Sequence, residues 1–172
     1  MSTREEILNK FKHDSSNIGE QYDMPDFRKL KGIEYDDPVS QFIGMSETVG
    51  GKVVTLGKND NVNEVIKAAY PEAKIFASNL PEITIAQRNP DTVAEAQDLN
   101  GTDVGIVRGE IGVAENGCIW IPQTMKERAI CFISEYLVIL LSRKNIVSNM
   151  HQAYSRINMP DYGYGTFISG SS

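Results

Sequence analysis

The chain is short of cysteine, of surplus positive charge and of long apolar runs, and each shortage excludes a class of function. Its two cysteines, Cys118 and Cys131, stand apart in sequence. No cofactor motif is therefore evident, since zinc and iron–sulfur centres need clustered thiolates. Both lie in apolar, strand-like stretches, which suits buried thiols in a reducing, cytoplasmic compartment. The formal net charge is −6 over 172 residues, which argues against nucleic acid or an anionic membrane as partner. The longest apolar run, Tyr136 to Leu141, is too short to span a bilayer. The first residues, Met1 to Ile7, contain no apolar secretory segment. Gly105, Gly109 and Gly112 are spaced G-x-x-x-G-x-x-G, not as a dinucleotide fingerprint. No Gly-x-Ser-x-Gly elbow occurs. His13 and His151 lack companions at ligand spacing, so no metal site is expected.

What is present suits an ordinary folded domain, with 41% hydrophobic and 23% charged residues. Thr3-Arg4-Glu5-Glu6 reads as a capping box opening a short helix through Lys12, with Ile7, Leu8 and Phe11 on one stripe. Residues 1–36 are expected to form this helix and an extended arm. The arm is either a partly ordered tail or a contact to another subunit, as in a homo-oligomer. Residues 37–172 are expected to form the main domain.

Asp37-Pro38 is an N-cap followed by proline, and Val39, Phe42, Ile43, Ser46 and Val49 keep helical spacing up to Gly50-Gly51. Lys52 to Leu56 reads as a buried strand. Asp60 or Asn61 caps a helix with Val62, Val65, Ile66 and Ala69 on one face, ended by Pro71. Lys74 to Ala77 reads as the next strand, giving a parallel strand–helix–strand unit. A small strand over Ile83 to Ala86, a short helix over Thr92 to Gln97, and strands over Ala129 to Ile133 and Tyr136 to Ser142 follow. Lys144 or Asn145 opens a helix carrying Ile146, Met150, Ala153 and Ile157, and Gly165 to Ser169 is the last strand. The expected fold class is α/β: an open, mixed, mostly parallel sheet with helices on both faces.

The most informative stretch is Asp103 to Trp120, DVGIVRGEIGVAENGCIW. Apolar strands lead into and out of Ala114-Glu115-Asn116-Gly117. Asn-Gly marks a tight turn, because both residues tolerate positive φ. A carboxylate between buried strands must be hydrogen-bonded, solvated or used. Glu115 is the candidate catalytic residue; the alternative is that it accepts N–H groups of its own turn and merely closes a hairpin. Asn116 and Gly117 offer backbone N–H groups to an anion, or else serve the turn alone. Ser169, Gly170 and Ser171 suit an anion-binding loop or a flexible end. Arg108 and Arg128 suit a clamp on a carboxylate ligand, or ordinary surface ion pairs.

The run from Gly109 to Gly117 (GEIGVAENG) resembles the G-A-D-x-x-I-A-E-T-G-T motif of the lactate-utilisation (LUD) family, in its lactate-utilisation protein C branch, with Asn116 in place of threonine. Glu115-Asn116-Gly117 is also similar to the Ser-Glu-Asn-Gly motif of CoA-transferases, whose glutamate is the covalent nucleophile. Phe167 to Ser172 (FISGSS) is similar to the family's I-S-G-P-S-[KR]-T-A-D-I-E segment, with Ser171 in place of proline. The chain stops before the remainder of that segment, so the resemblance implies a domain truncated at its C-terminal end.

The resemblance implies a NagB/RpiA/CoA-transferase-like fold. It also implies an accessory, ligand-binding role in oxidising L-lactate to pyruvate. Iron–sulfur clusters would sit on partner lactate-utilisation subunits, and this chain would hold a small anionic or hydroxy-acid ligand. Two alternatives stand beside it: a CoA-transferase-like enzyme using Glu115 as nucleophile, and a small-molecule-sensing regulatory domain that has kept the fold without the chemistry.

Overall fold

The computed structural model describes residues 3–15, 31–158 and 163–170, with side chains from residue 3 to 10 in the first segment. The expected arm over 13–37 falls largely outside these residues, as does Ser171. The chain divides into two units, Met1–Lys31 and Gly32–Ser172. In the first, helix α1 spans Thr3–Ser15 with Glu5 and Glu6 in its first turn, where carboxylates favour the positive end of the helix dipole.

The second unit opens with Gly32–Tyr35 laid against Ser148 and Asn149. The Asn149 Nδ2 donates to the Ile33 carbonyl at 2.8 Å, and the Tyr35 N–H to the Ser148 hydroxyl at 3.2 Å. Helix α2, Pro38–Thr48, starts at Asp37, whose carboxylate accepts the N–H groups of Val39 and Ser40. The hydroxyl and N–H of Ser40 hold that carboxyl below its usual pKa. Helix α3, Val62–Ala69, is capped by Asn61.

Strand β1 is Phe76–Ala77, β2 Val104–Arg108, β3 Ile111–Val113 and β4 Ile119–Pro122. Helix α4 is Ile130–Ile133, β5 Tyr136–Leu140, β6 Ile146–Val147, α5 Met150–Tyr154 and β7 Gly165–Ile168. One sheet is fully parallel, ordered β1-β2-β5; the other is mixed, ordered β6-β3-β4-β7. The chain passes from the first to the second at Gly109-Glu110, and again between β5 and β6. The parallel pairing of β2 with β5 therefore reappears as the pairing of β3 with β6.

Strand β2 is the centre, with Val104, Ile106 and Val107 fully buried. Side chains alternate along a strand. Val104 and Ile106 join Ile66 and Val62 of α3 on one face, with Val138 and Leu140 of β5. Val107 joins Ile130 and Ile133 of α4 on the other, with Leu137 and Ile139. The α/β class with helices on both faces of a mostly parallel sheet holds. Asp103 anchors the near end of this sheet: its carboxylate accepts the N–H groups of Lys74 and Ile75 at 2.6 and 2.8 Å.

Several expected elements differ. Lys52 to Leu56 is not a strand; it finds no pairing partner among the described residues, and Val54 and Leu56 are exposed. An apolar run without a neighbour in register does not make a ladder. The strand at Lys74 shortens to Phe76–Ala77, and Ile83 to Ala86 forms turns. The short helix expected at Thr92 is a 3₁₀ turn over Ala96–Leu99. Ala129 to Ile133 is helical, not extended. It rests on Gly105, where a Cβ would meet the Ile130 carbonyl at 3.1 Å. A short apolar run reads equally as either element until its packing is known. Ile146-Val147 is captured by β3 as a strand, so the helix expected from Asn145 starts only after Asn149, which caps it through the Gln152 N–H.

Candidate functional site

The turn between β3 and β4 is held by the backbone and by Asn116. The Gly117 N–H donates to the Val113 carbonyl at 2.9 Å, and the Val113 N–H to the Cys118 carbonyl at 2.9 Å. Asn116 closes the loop by accepting the Cys118 N–H on Oδ1 at 3.1 Å. Gly117 takes φ +69, the left-handed conformation that the Asn-Gly pair foretold. Ala114 and Glu115 extend the parallel ladder: their N–H groups donate to the carbonyls of Val147 and Ser148.

Glu115 is therefore not the residue that closes its turn. Its carboxylate is half-buried and accepts no hydrogen bond and forms no ion pair among the described residues. Beside it, the Asn116 N–H has no acceptor among the described residues, while the N–H groups of the five neighbouring turn residues are used. An open acceptor and an open donor thus stand on consecutive residues.

Below them lies a third open group. Gly117 packs directly on α2, where a Cβ would come within 2.9 Å of the Ser46 amide nitrogen. Ser46 is 8% exposed, and its hydroxyl finds no hydrogen-bond partner among the described residues. Buried polar atoms are rarely left so. Sequence reasoning placed Ser46 on the helix stripe only. The signal that marks it is a hydroxyl among the apolar Phe42, Ile43 and Val49.

The C-terminal segment comes to the same place. The Ser169 hydroxyl donates to the Asn116 carbonyl at 3.1 Å. Gly170, at φ +73, lies so close to α2 that a Cβ would sit 2.6 Å from the Val49 carbonyl. Glu115, Asn116, Gly117, Ser169 and Gly170 are brought together, with Ser46 added.

The two arginines are engaged elsewhere. Arg108, at the end of β2, pairs with Glu82 on the exposed rim. The Arg128 guanidinium lies 4.3 Å above the Tyr164 ring and donates weakly to Gln123 at 3.4 Å. It lines a groove with Ile121, Met125, Phe132 and Thr166. Neither reaches Glu115.

Cys118, buried behind the turn, has its thiol pushed up to about 11 by burial, with Glu115 adding a small push in the same direction. Burial alone pushes Cys131 up to about 11. Both thiols stay protonated at neutral pH and serve as apolar filling. Among the described residues no group of His, Cys, Asp or Glu could hold a metal ion. No described helix is long and apolar enough to cross a membrane.

Residues 91–172 match the family model of the LUD domain. This segment holds the Glu115 turn, Ser169 and Gly170, while Ser46 lies outside it. Among solved structures, the chain resembles a DUF162 family protein from Deinococcus radiodurans. The TM-score is 0.62 at 14% identity, over 81% of this chain and 91% of that one. At that identity the likeness speaks for the fold. No curated protein matches the chain.

Proposed function

We propose that the Glu115 turn is the ligand-binding centre of a subunit that serves L-lactate utilisation, taking a small 2-hydroxy acid or its keto counterpart. The observation that carries this reading is the pair of open groups on consecutive residues: the Glu115 carboxylate and the Asn116 N–H. A 2-hydroxy acid offers the complement. Its hydroxyl donates to Glu115 and its carboxylate accepts from Asn116, with the Ser46 hydroxyl available for a further bond. The GEIGVAENG run and the LUD match over residues 91–172 support the choice of substrate class. In this reading the chain binds and orients the acid, and iron–sulfur clusters on partner subunits take up the electrons.

The test is Glu115→Gln, which keeps the shape and removes the charge. Because Asn116 and the backbone close the turn, thermal stability should stay within about 0.5 kcal/mol of wild type. Binding of lactate or pyruvate, read by calorimetry on the purified protein, should weaken by about tenfold or more. Growth of a deletion strain on L-lactate should fail. Full complementation by Glu115→Gln would sink the proposal. A hydroxylamine-sensitive acyl adduct at Glu115, formed with acyl-CoA, would instead make this carboxylate a nucleophile.

A further inference from the structure

The Ser46 hydroxyl is out of reach in the fold as it stands. It lies between α2 and the β3–β4 turn, buried and without a partner among the described residues. A ligand group touches it only if one of these two surfaces moves. The turn is the surface that stays. The Val113 N–H and Cys118 carbonyl pair across the hairpin, and the Ala114 and Glu115 N–H groups donate to the carbonyls of Val147 and Ser148. The Ser169 hydroxyl holds the Asn116 carbonyl from the other side. Helix α2 is attached more thinly. Of its eleven residues only Phe42 and Ser46 are buried. Phe42 rests on Gly112 of β3, where a Cβ would meet its ring at 3.2 Å. An element that buries one apolar side chain opens locally at less cost than the strands beneath it.

The two ends of α2 differ. Its C-terminal end runs into Gly50-Gly51, with Gly50 at φ 89, and then into the unpaired run from Lys52 to Leu56. Two glycines followed by a run that no ladder holds are where a change of backbone angle is absorbed. The leading end is fastened. The Ile33 carbonyl accepts the Asn149 Nδ2 at 2.8 Å, and the Tyr35 N–H donates to the Ser148 hydroxyl. Gly32 lies so near that a Cβ would stand 2.6 Å from the Asn149 Nδ2. Ser148 and Asn149 are buried, at 5% and 2% exposure. The Ser148 carbonyl also takes the Glu115 N–H, and the Asn149 Oδ1 takes the Gln152 N–H that caps α5. One buried polar dipeptide thus ties the lead-in of α2 to the backbone of Glu115.

Taking the Glu115 turn as the ligand-binding centre, a reading on which this rests, we propose that α2 is a hinged cover. It is latched at its leading end by Asn149 and lifts about Gly50-Gly51 to admit the ligand. Lifting uncovers the Ser46 hydroxyl. Closing brings that hydroxyl onto the bound acid and shuts out water. The hydroxyl is then unpaired only while the cover is shut over an empty site, which accounts for a buried polar group without a partner. Asn149 is a positioning residue in this arrangement: it acts through the lead-in of α2 and touches no ligand.

The experiment is thiol labelling of the ligand-free full chain carrying Ser46→Cys, with iodoacetamide and mass spectrometry peptide by peptide. Each rate is divided by that of the same thiol in denaturant. The native Cys118, buried in the hairpin, reports opening of the rest. The introduced thiol should label faster than Cys118 by about tenfold or more. Asn149→Asp keeps an oxygen to cap α5 and removes the Nδ2 donor to Ile33. It should speed labelling at position 46 by about a further tenfold and leave Cys118 unchanged. Labelling at position 46 no faster than at Cys118 overturns the proposal, and so does a rate that Asn149→Asp leaves unchanged. If Ser46→Cys does not fold, amide exchange of α2 against β2, with and without Asn149→Asp, gives the same two outcomes. Saturating lactate should slow exchange of the α2 amides in wild type and not in Glu115→Gln. An α2 that opens as expected but that lactate does not protect leaves the cover standing and overturns the lactate reading of the site.

Discussion

Two polar regions of the second unit are built from similar residues and treated oppositely. Away from the β3–β4 turn, Asp103, Arg108 and Arg128 each have a partner. Asp103 takes two backbone N–H groups, which hold its carboxyl below the usual pKa. Arg108 meets Glu82, and Arg128 lies over Tyr164. At the β3–β4 turn the Glu115 carboxylate, the Asn116 N–H and the Ser46 hydroxyl have none among the described residues. Both regions lie within a few residues of the same strands. Partnered charge holds a fold together, whereas polar groups left open against a packed floor cost stability and persist where a ligand completes them. The contrast is what supports the proposal that a ligand binds at the turn and not at the arginines.

The heaviest blow to that contrast should come from Gly117→Ala. The substitution demands φ +69 from a residue with a Cβ, and drives that Cβ to 2.9 Å from the Ser46 backbone. Strain and overpacking together should cost about 2–4 kcal/mol in denaturant unfolding, and ligand binding should be lost. Gly101→Ala separates the two causes. Gly101 has φ +73 but open space around its Cβ position, so it should cost only the strain, about 1–2 kcal/mol. Equal losses at the two positions would show that the packing of the turn on α2 contributes nothing.

How much of this could be read beforehand depends on how local each determinant is. The cap at Asp37 and the turn at Asn116-Gly117 are local and stand where the sequence put them, and of the two caps it offered for α3, Asp60 and Asn61, the structure uses Asn61. The strands β5 and β7 were legible from their composition. The run at Lys52 was not, because a strand also needs a partner, and nothing in KVVTL says that none is present. Ile146-Val147 failed in the opposite sense. Helical spacing was satisfied, but the pairing with Gly112 and Val113 overrode it. In the site, Glu115 was visible from its apolar flanks. Arg108 could not be assigned, since Glu82 is 26 residues away in sequence. Ser46 escaped notice because its meaning comes from the approach of Gly117, 71 positions later in the chain.

Ser46→Ala sharpens the comparison by a smaller effect with an inverted sign. The hydroxyl is buried without a partner, so removing it should stabilise the unliganded protein by about 1 kcal/mol. That corresponds to a rise in Tm of about 2–4 °C for a domain of this size. If the hydroxyl completes a ligand, affinity should fall at the same time by about tenfold. A gain in stability together with a loss of binding is the signature of a group kept for function. A loss of stability would mean that the hydroxyl is satisfied in solution and belongs with the partnered groups.

The smallest effect is expected on the other side of the comparison, at Arg108. The side chains of Arg108 and Glu82 are 53% and 39% exposed, so water and salt screen their attraction. A double-mutant cycle over Arg108→Gln and Glu82→Gln should give a coupling of about 0.5 kcal/mol or less, shrinking further in high salt. Lactate binding and growth on lactate should match wild type in both single variants. This separates the clamp reading of Arg108 from the rim ion pair that the structure presents. A binding defect in Arg108→Gln with stability unchanged would return the arginine to the site. It would also mean that the guanidinium leaves Glu82 for the ligand, a movement of one exposed side chain at the point where β2 passes into the Glu115 hairpin.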